Sequence, residues 1–179
     1  NEIYVHDPED AGGTVGYSMG LLQFHLATIT SALQHLHHRS IMHRDIKPDN
    51  IFISGDTLKF GDLGLAVDST NTNASIHGKA GTMRYMAPEV LGVSTEADSY
   101  TRRADMWSLG ITFYEMAAGT AASTVAFASN ADQLMDAIAT PKRQAKVSMV
   151  ISQMLKEEPH KRPNAASILK SNFNKSFDA

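Results

Sequence analysis

A chain of 179 residues with 42% hydrophobic side chains can bury the core of one domain, or of a large lobe of a bigger one. Its net charge is −3 and its lysines and arginines are scattered rather than clustered, which argues against nucleic acid as a partner. With no cysteine there is no disulfide framework or thiolate metal site, and no apolar run reaches the length of a membrane span, so the expected setting is cytoplasmic or nuclear.

Residues Asn1 to Gly20 carry Pro8, Gly12, Gly13, Gly16 and Gly20 with few apolar residues in phase, which reads as a flexible lead-in. The stretch AGGTVGYSMG within it lacks G-x-G spacing, so a plain loop is preferred over a phosphate cradle. From Leu22 the apolar residues Leu22, Leu26, Ile29, Leu33 and Leu36 step by four and three. They form one face of a helix running to about His38. Next come Ile51-Phe52-Ile53 and Leu58-Lys59-Phe60, separated by Ser54-Gly55-Asp56, the pattern of a hairpin. Asp68 to Gly81 is rich in Ser, Thr, Asn and Gly and is expected to be an exposed, mobile loop. Helical periodicity returns at Met106, Leu109, Phe113 and Met116, with Gly119 as a stop. Further helices are expected over Ala131 to Ile138, Val147 to Leu155 and Asn164 to Leu169, the last entered through Pro163. The chain is mainly helical with one small β element.

Between the first helix and the loop lies SIMHRDIKPDNIFISGDTLKFGDLGLA, Ser40 to Ala66. Phosphoryl transfer needs a carboxylate to orient the attacking hydroxyl, hard ligands for a metal that bridges phosphate oxygens, and a cation for developing charge. Asp45 can supply the first and Lys47 the last, while Asn50 and Asp62 are oxygen ligands of the kind magnesium takes. The strand pair between Asn50 and Asp62 would fold those two ligands back toward each other.

His43-Arg44-Asp45 with Lys47 and Asn50, followed by Asp62-Leu63-Gly64, resembles the catalytic loop and metal-binding segment of eukaryotic protein kinases, H-R-D-x-K-x-x-N and D-F-G. Gly81-Thr82-Met83-Arg84-Tyr85-Met86-Ala87-Pro88-Glu89 looks like the end of a kinase activation segment. Asp105-Met106-Trp107-Ser108-Leu109-Gly110 looks like the start of the helix behind it. Five motifs in order cover roughly Leu21 to Phe173. The resemblance implies an α+β protein-kinase-like fold and transfer of phosphate from ATP, with Mg2+, to serine or threonine of a protein substrate. Asp45 and Lys47 would be catalytic, with Lys47, Asn50 and Asp62 at the nucleotide and Asn50 and Asp62 on the metal. Arg44 would meet a phosphate or acidic group on the activation loop, for which Ser75 is the first choice among Ser69, Thr70, Thr72, Ser75 and Thr82. Lys47 and Thr82 resemble the pair that marks serine/threonine specificity. His43 would pack, and Asp105 would hold the backbone of the catalytic loop. Glu89 and Arg162 would form a buried ion pair whose disruption costs roughly 3–5 kcal/mol.

Leu63 replaces the usual phenylalanine, where an apolar plug is all that is needed. The family's upstream strand lysine has no counterpart, because the first lysine of this chain is Lys47. The expected content is therefore residues 21–179 as a C-terminal lobe, following a lead-in at 1–20, with the N-terminal lobe absent. Such a lobe alone would be inactive, or would serve as a non-catalytic interaction module; the sequence leaves dimerisation open. The catalytic stretch, IHGKAGT and VISQMLKEEPHKRPNAASILKSNF are similar to kinases of the translation initiation factor 2 alpha subunit, and NIMA-related kinases share much of this wording.

Overall fold

The computed structural model describes residues 19–70, 80–92, 101–118 and 145–171. Helix α1 (Met19–His38) starts inside the expected lead-in. Its stripe Leu22, Leu26, Ile29 and Leu33 is buried as the four-and-three spacing predicts, while Leu36 is only half-buried. Each buried member stabilises the fold by roughly 1.5–3 kcal/mol relative to exposure. The helix ends without a glycine: Ser40 takes φ 60, and its N–H donates to His37 O at 3.1 Å.

Four short strands follow, in two antiparallel pairs rather than the single hairpin expected: β1 (Ile41–Met42), β2 (Ile51–Ser54), β3 (Thr57–Phe60) and β4 (Val67–Asp68). The β2–β3 hairpin has Ile51 opposite Phe60 and closes through Gly55-Asp56, with Gly55 at φ 61. The β1–β4 pair escaped the sequence because two residues carry no period and the partners are distant in the chain. It also corrects the start of the mobile loop expected over Asp68 to Gly81, of which residues 71–79 lie outside the described residues. Asp68 pairs with Ile41, and the Ser69 N–H and hydroxyl both donate to Ser40 O, at 2.7 and 2.8 Å.

Beyond this loop come α2 (Pro88–Leu91), α3 (Arg102–Ala118), α4 (Ala145–Met154) and α5 (Ala165–Lys170). The expected helix over Ala131 to Ile138 and the stop at Gly119 lie outside the described residues. Asn164, not Pro163, sets the start of α5, its side-chain oxygen accepting from Ser167 N at 2.7 Å. The core joins the α1 stripe to Met106, Leu109, Ile111 and Phe113 of α3 and to Ile151, Met154 and Ile168. Helix α3 is buried almost all round, so its polar residues need partners. Ser108 donates to Tyr85 O at 2.7 Å, and Glu115 accepts from the Tyr85 hydroxyl at 2.7 Å and from Arg84 at 2.7 Å. Burial and the Glu115 bond both push the Tyr85 hydroxyl's pKa well up, so it stays a donor. Gly110 lets α3 approach α4, since a Cβ there would lie 2.9 Å from Leu155 Cδ2.

Glu89 and Arg162 form the expected pair, Nη1 to Oε1 at 2.6 Å and Nη2 to Oε2 at 2.8 Å, both residues almost fully buried. The guanidinium also lies 5.0 Å from the centroid of Trp107, which is half-buried and touches both hydrophobic clusters.

Candidate active site

The loop between β1 and β2 takes its shape from one buried carboxylate. Asp105, in the first turn of α3 and fully buried, accepts the backbone N–H groups of His43 and Arg44, each at 3.0 Å. The grip holds Arg44 at φ 69, which a non-glycine residue adopts only when its surroundings over-determine it. Asp105 also binds the ring Nε2 of His37 at 2.8 Å, a buried partner at the end of α1. Nothing in the spacing marks His37, since cationic side chains are common at helix C-termini. His43 is fully buried, its ring tilted on Phe60 at 4.9 Å and its Nε2 3.2 Å from Gly61 O.

Asp45 is the focus of the loop. Its Oδ1 accepts the Thr82 N–H and hydroxyl, both at 2.9 Å, and its Oδ2 accepts Asn50 Nδ2 at 2.9 Å and lies 3.0 Å from Lys47 Nζ. Lys47 Nζ in turn donates to the Thr82 hydroxyl at 2.8 Å. Burial pushes the Asp45 carboxyl up, but the bonds from Lys47, Thr82 and Asn50 together outweigh it and hold the group below its ordinary value. Gly81 makes the junction possible: at φ 111, a Cβ would fall 2.3 Å from Arg44 O. Thr82 thus belongs to the catalytic cluster rather than to a free loop.

Asn50 spends its amide N–H groups on the carboxylate and the carbonyl oxygen of Asp45, at 2.9 and 2.8 Å, which leaves Oδ1 as its ligand atom. Across the hairpin the Gly61 N–H donates to Asn50 O at 2.9 Å, so Asp62 emerges beside Asn50 as the strand spacing implies. Asp62 is exposed and at φ 48, with Oδ1 accepting Gly64 N at 3.2 Å. Among the described residues no three His, Cys, Asp or Glu side chains group as a metal centre. Asn50 and Asp62 could offer two hard oxygens, a set that fits a magnesium ion completing its shell with phosphates and water. Leu63 is 51% exposed and plugs nothing among the described residues. The Arg44 side chain is half-buried next to this cluster in sequence, and Ser75 lies outside the described residues.

A carboxylate braced by lysine, threonine and asparagine, with a second aspartate following a hairpin, is the arrangement expected from the resemblance to a kinase catalytic loop. The protein kinase domain family matches residues 11–174, and the chain belongs to that family. It is 36% identical to the human eIF-2-alpha kinase GCN2 over 172 residues, covering 80% of this chain and 10% of that protein. A probable serine/threonine-protein kinase of Dictyostelium discoideum is 34% identical, over 82% of this chain and 20% of its own length. G protein-coupled receptor kinase 1 of Caenorhabditis briggsae is 41% identical over 59% of this chain and 16% of its own. The chain thus spans a fifth or less of the length of these relatives.

Proposed function

We propose that this chain is the C-terminal lobe of a serine/threonine protein kinase and supplies the catalytic floor for ATP- and magnesium-dependent phosphorylation of a protein substrate. The observation that carries the reading is the Asp45 carboxylate, held by four hydrogen-bond donors whose combined effect keeps its pKa below the ordinary value. In this reading Asp45 orients the substrate hydroxyl and accepts its proton as the phosphoryl group leaves ATP. Lys47, already linked to both Asp45 and Thr82, neutralises charge on the transferring group. Asn50 Oδ1 and the Asp62 carboxylate would hold magnesium, which would supply positive charge to offset that of the phosphate groups. Thr82 joins the activation segment to the loop through the hydroxyl shared by Asp45 and Lys47, the feature that favours serine and threonine acceptors. A cytoplasmic or nuclear setting, where ATP is supplied, goes with this activity.

The test is transfer of labelled phosphate by the full-length protein. Asp45→Asn and Asp62→Ala should each abolish transfer with the fold retained; activity in either variant removes that residue from its role. The 179-residue chain alone should be inactive, because no lysine precedes Lys47 to clamp the nucleotide. A second reading, a non-catalytic lobe that serves as an interaction module, draws on the exposed apolar residues Phe52, Ile53, Leu63 and Leu65. Asp45-dependent turnover by the full-length protein excludes it.

A further inference from the structure

Away from Asp45, the end of α1 meets the start of α3 and helix α5 around a cavity of about 520 Å3. Arg102, Arg103, Lys170, His37 and His38 line it with Gln34. A second cavity of about 570 Å3 shares Gln34 and His38 and adds His35 and Arg39. Among the described residues no carboxylate lines either one, in a chain whose net charge is −3. Asp105 lies behind His37 but is fully buried and already engaged by His37, His43 and Arg44.

Two explanations compete for this concentration of basic side chains. A helix C-terminus carries partial negative charge, which accounts for His35, His37, His38 and Arg39 at the end of α1. It does not account for Arg102 and Arg103. These open the 17-residue helix α3, where the dipole favours anions and disfavours cations. Arg103 is further penalised by burial and by the neighbouring Arg162 charge, which lower its pKa from its ordinary value. Arg103 donates to the Arg162 carbonyl oxygen and Arg102 to the Ser40 hydroxyl at 3.2 Å, so both contacts are with neutral groups. Cations at a helix start, facing Lys170 and His38 across a cavity, are stabilised when an anion enters. Guanidinium forks match phosphate oxygens in pairs, and the volume exceeds what one phosphate group fills.

We propose that this cavity binds a small polyanion with two or more phosphate groups, held by Arg102, Arg103 and Lys170 with His38 at its edge. None of the residues of the Asp45 cluster lines it, so it is a second anion site, independent of the catalytic reading. The test is titration calorimetry of the full chain with sodium tripolyphosphate in magnesium-free, low-salt buffer. Binding should saturate and fall at least tenfold in Arg102→Gln/Lys170→Gln, since two charge-assisted contacts are lost. Both side chains are exposed, so the fold should survive. Lys47→Met, which removes the cation beside Asp45, should leave the affinity unchanged. Affinity should also drop with added salt, a readout that needs no variant. Wild-type affinity in the double variant, loss of binding in Lys47→Met, salt-independent binding, or no saturable binding would each overturn the proposal.

Discussion

Arg162→Met is the sharpest test of how this lobe is held together. All five N–H groups of Arg162 are used: Nε donates to Lys156 O at 2.6 Å, Nη1 to Glu89 Oε1 and to Arg103 O at 3.1 Å, and Nη2 to Glu89 Oε2 and to Glu157 O at 2.8 Å. Methionine restores much of the volume against Trp107 but none of the donors. Glu89, 2% exposed, is left as a stranded charge, and three backbone carbonyls lose their partner. Breaking a buried pair from one side costs roughly 3–5 kcal/mol, most of it from the uncompensated ion. For a chain of this size that corresponds to a fall in Tm of roughly 6–20 °C. Urea unfolding of wild type, Arg162→Met, Glu89→Gln and the double variant measures the terms. Glu89→Gln should cost less than Arg162→Met, because the three carbonyls still solvate the guanidinium. The double variant should cost less than the sum of the singles, because no charge is stranded. A loss below about 1 kcal/mol in Arg162→Met would refute the reasoning.

Thr82→Val removes the hydroxyl shared by Asp45 and Lys47, and kcat/KM for transfer by the full-length protein should fall roughly tenfold, for a loss of about 1–1.5 kcal/mol; Thr82→Ser should recover most of it, and a silent Thr82→Val contradicts the assignment. Asp105→Asn withdraws the charge that holds the loop backbone, so amide exchange at His43 and Arg44 should quicken while the α1 core stays protected; unchanged exchange removes Asp105 from its positioning role. The depressed pKa of Asp45 makes its contribution to stability present above the unfolded Asp value of about 3.9 and lost as pH falls through the lower folded value. The stability gap between wild type and Asp45→Asn should therefore shrink below about pH 4, and a gap that is constant across that range would refute the hydrogen-bond account.

What the linear sequence carries is whatever depends on period or on local spacing. The four-and-three stripe of α1 survives into the structure because burial of one helix face is a local pattern, and the β2–β3 hairpin survives because Gly55-Asp56 is a local turn. The proposed catalytic residues were singled out for the same reason: Asp45, Lys47, Asn50 and Asp62 sit at spacings that phosphoryl transfer would require. What period and spacing could not carry is pairing across distance, of which the family resemblance supplied only part, Glu89 with Arg162 and Asp105 with the loop. His37 on Asp105, Thr82 on Asp45, and β1 on β4 join residues far apart in the chain. The basic cavity likewise exists only because the ends of three helices meet. Composition determined that such cations and carboxylates are present; packing decided which of them face each other, because a charge acts over ångströms in space and not over positions in the chain.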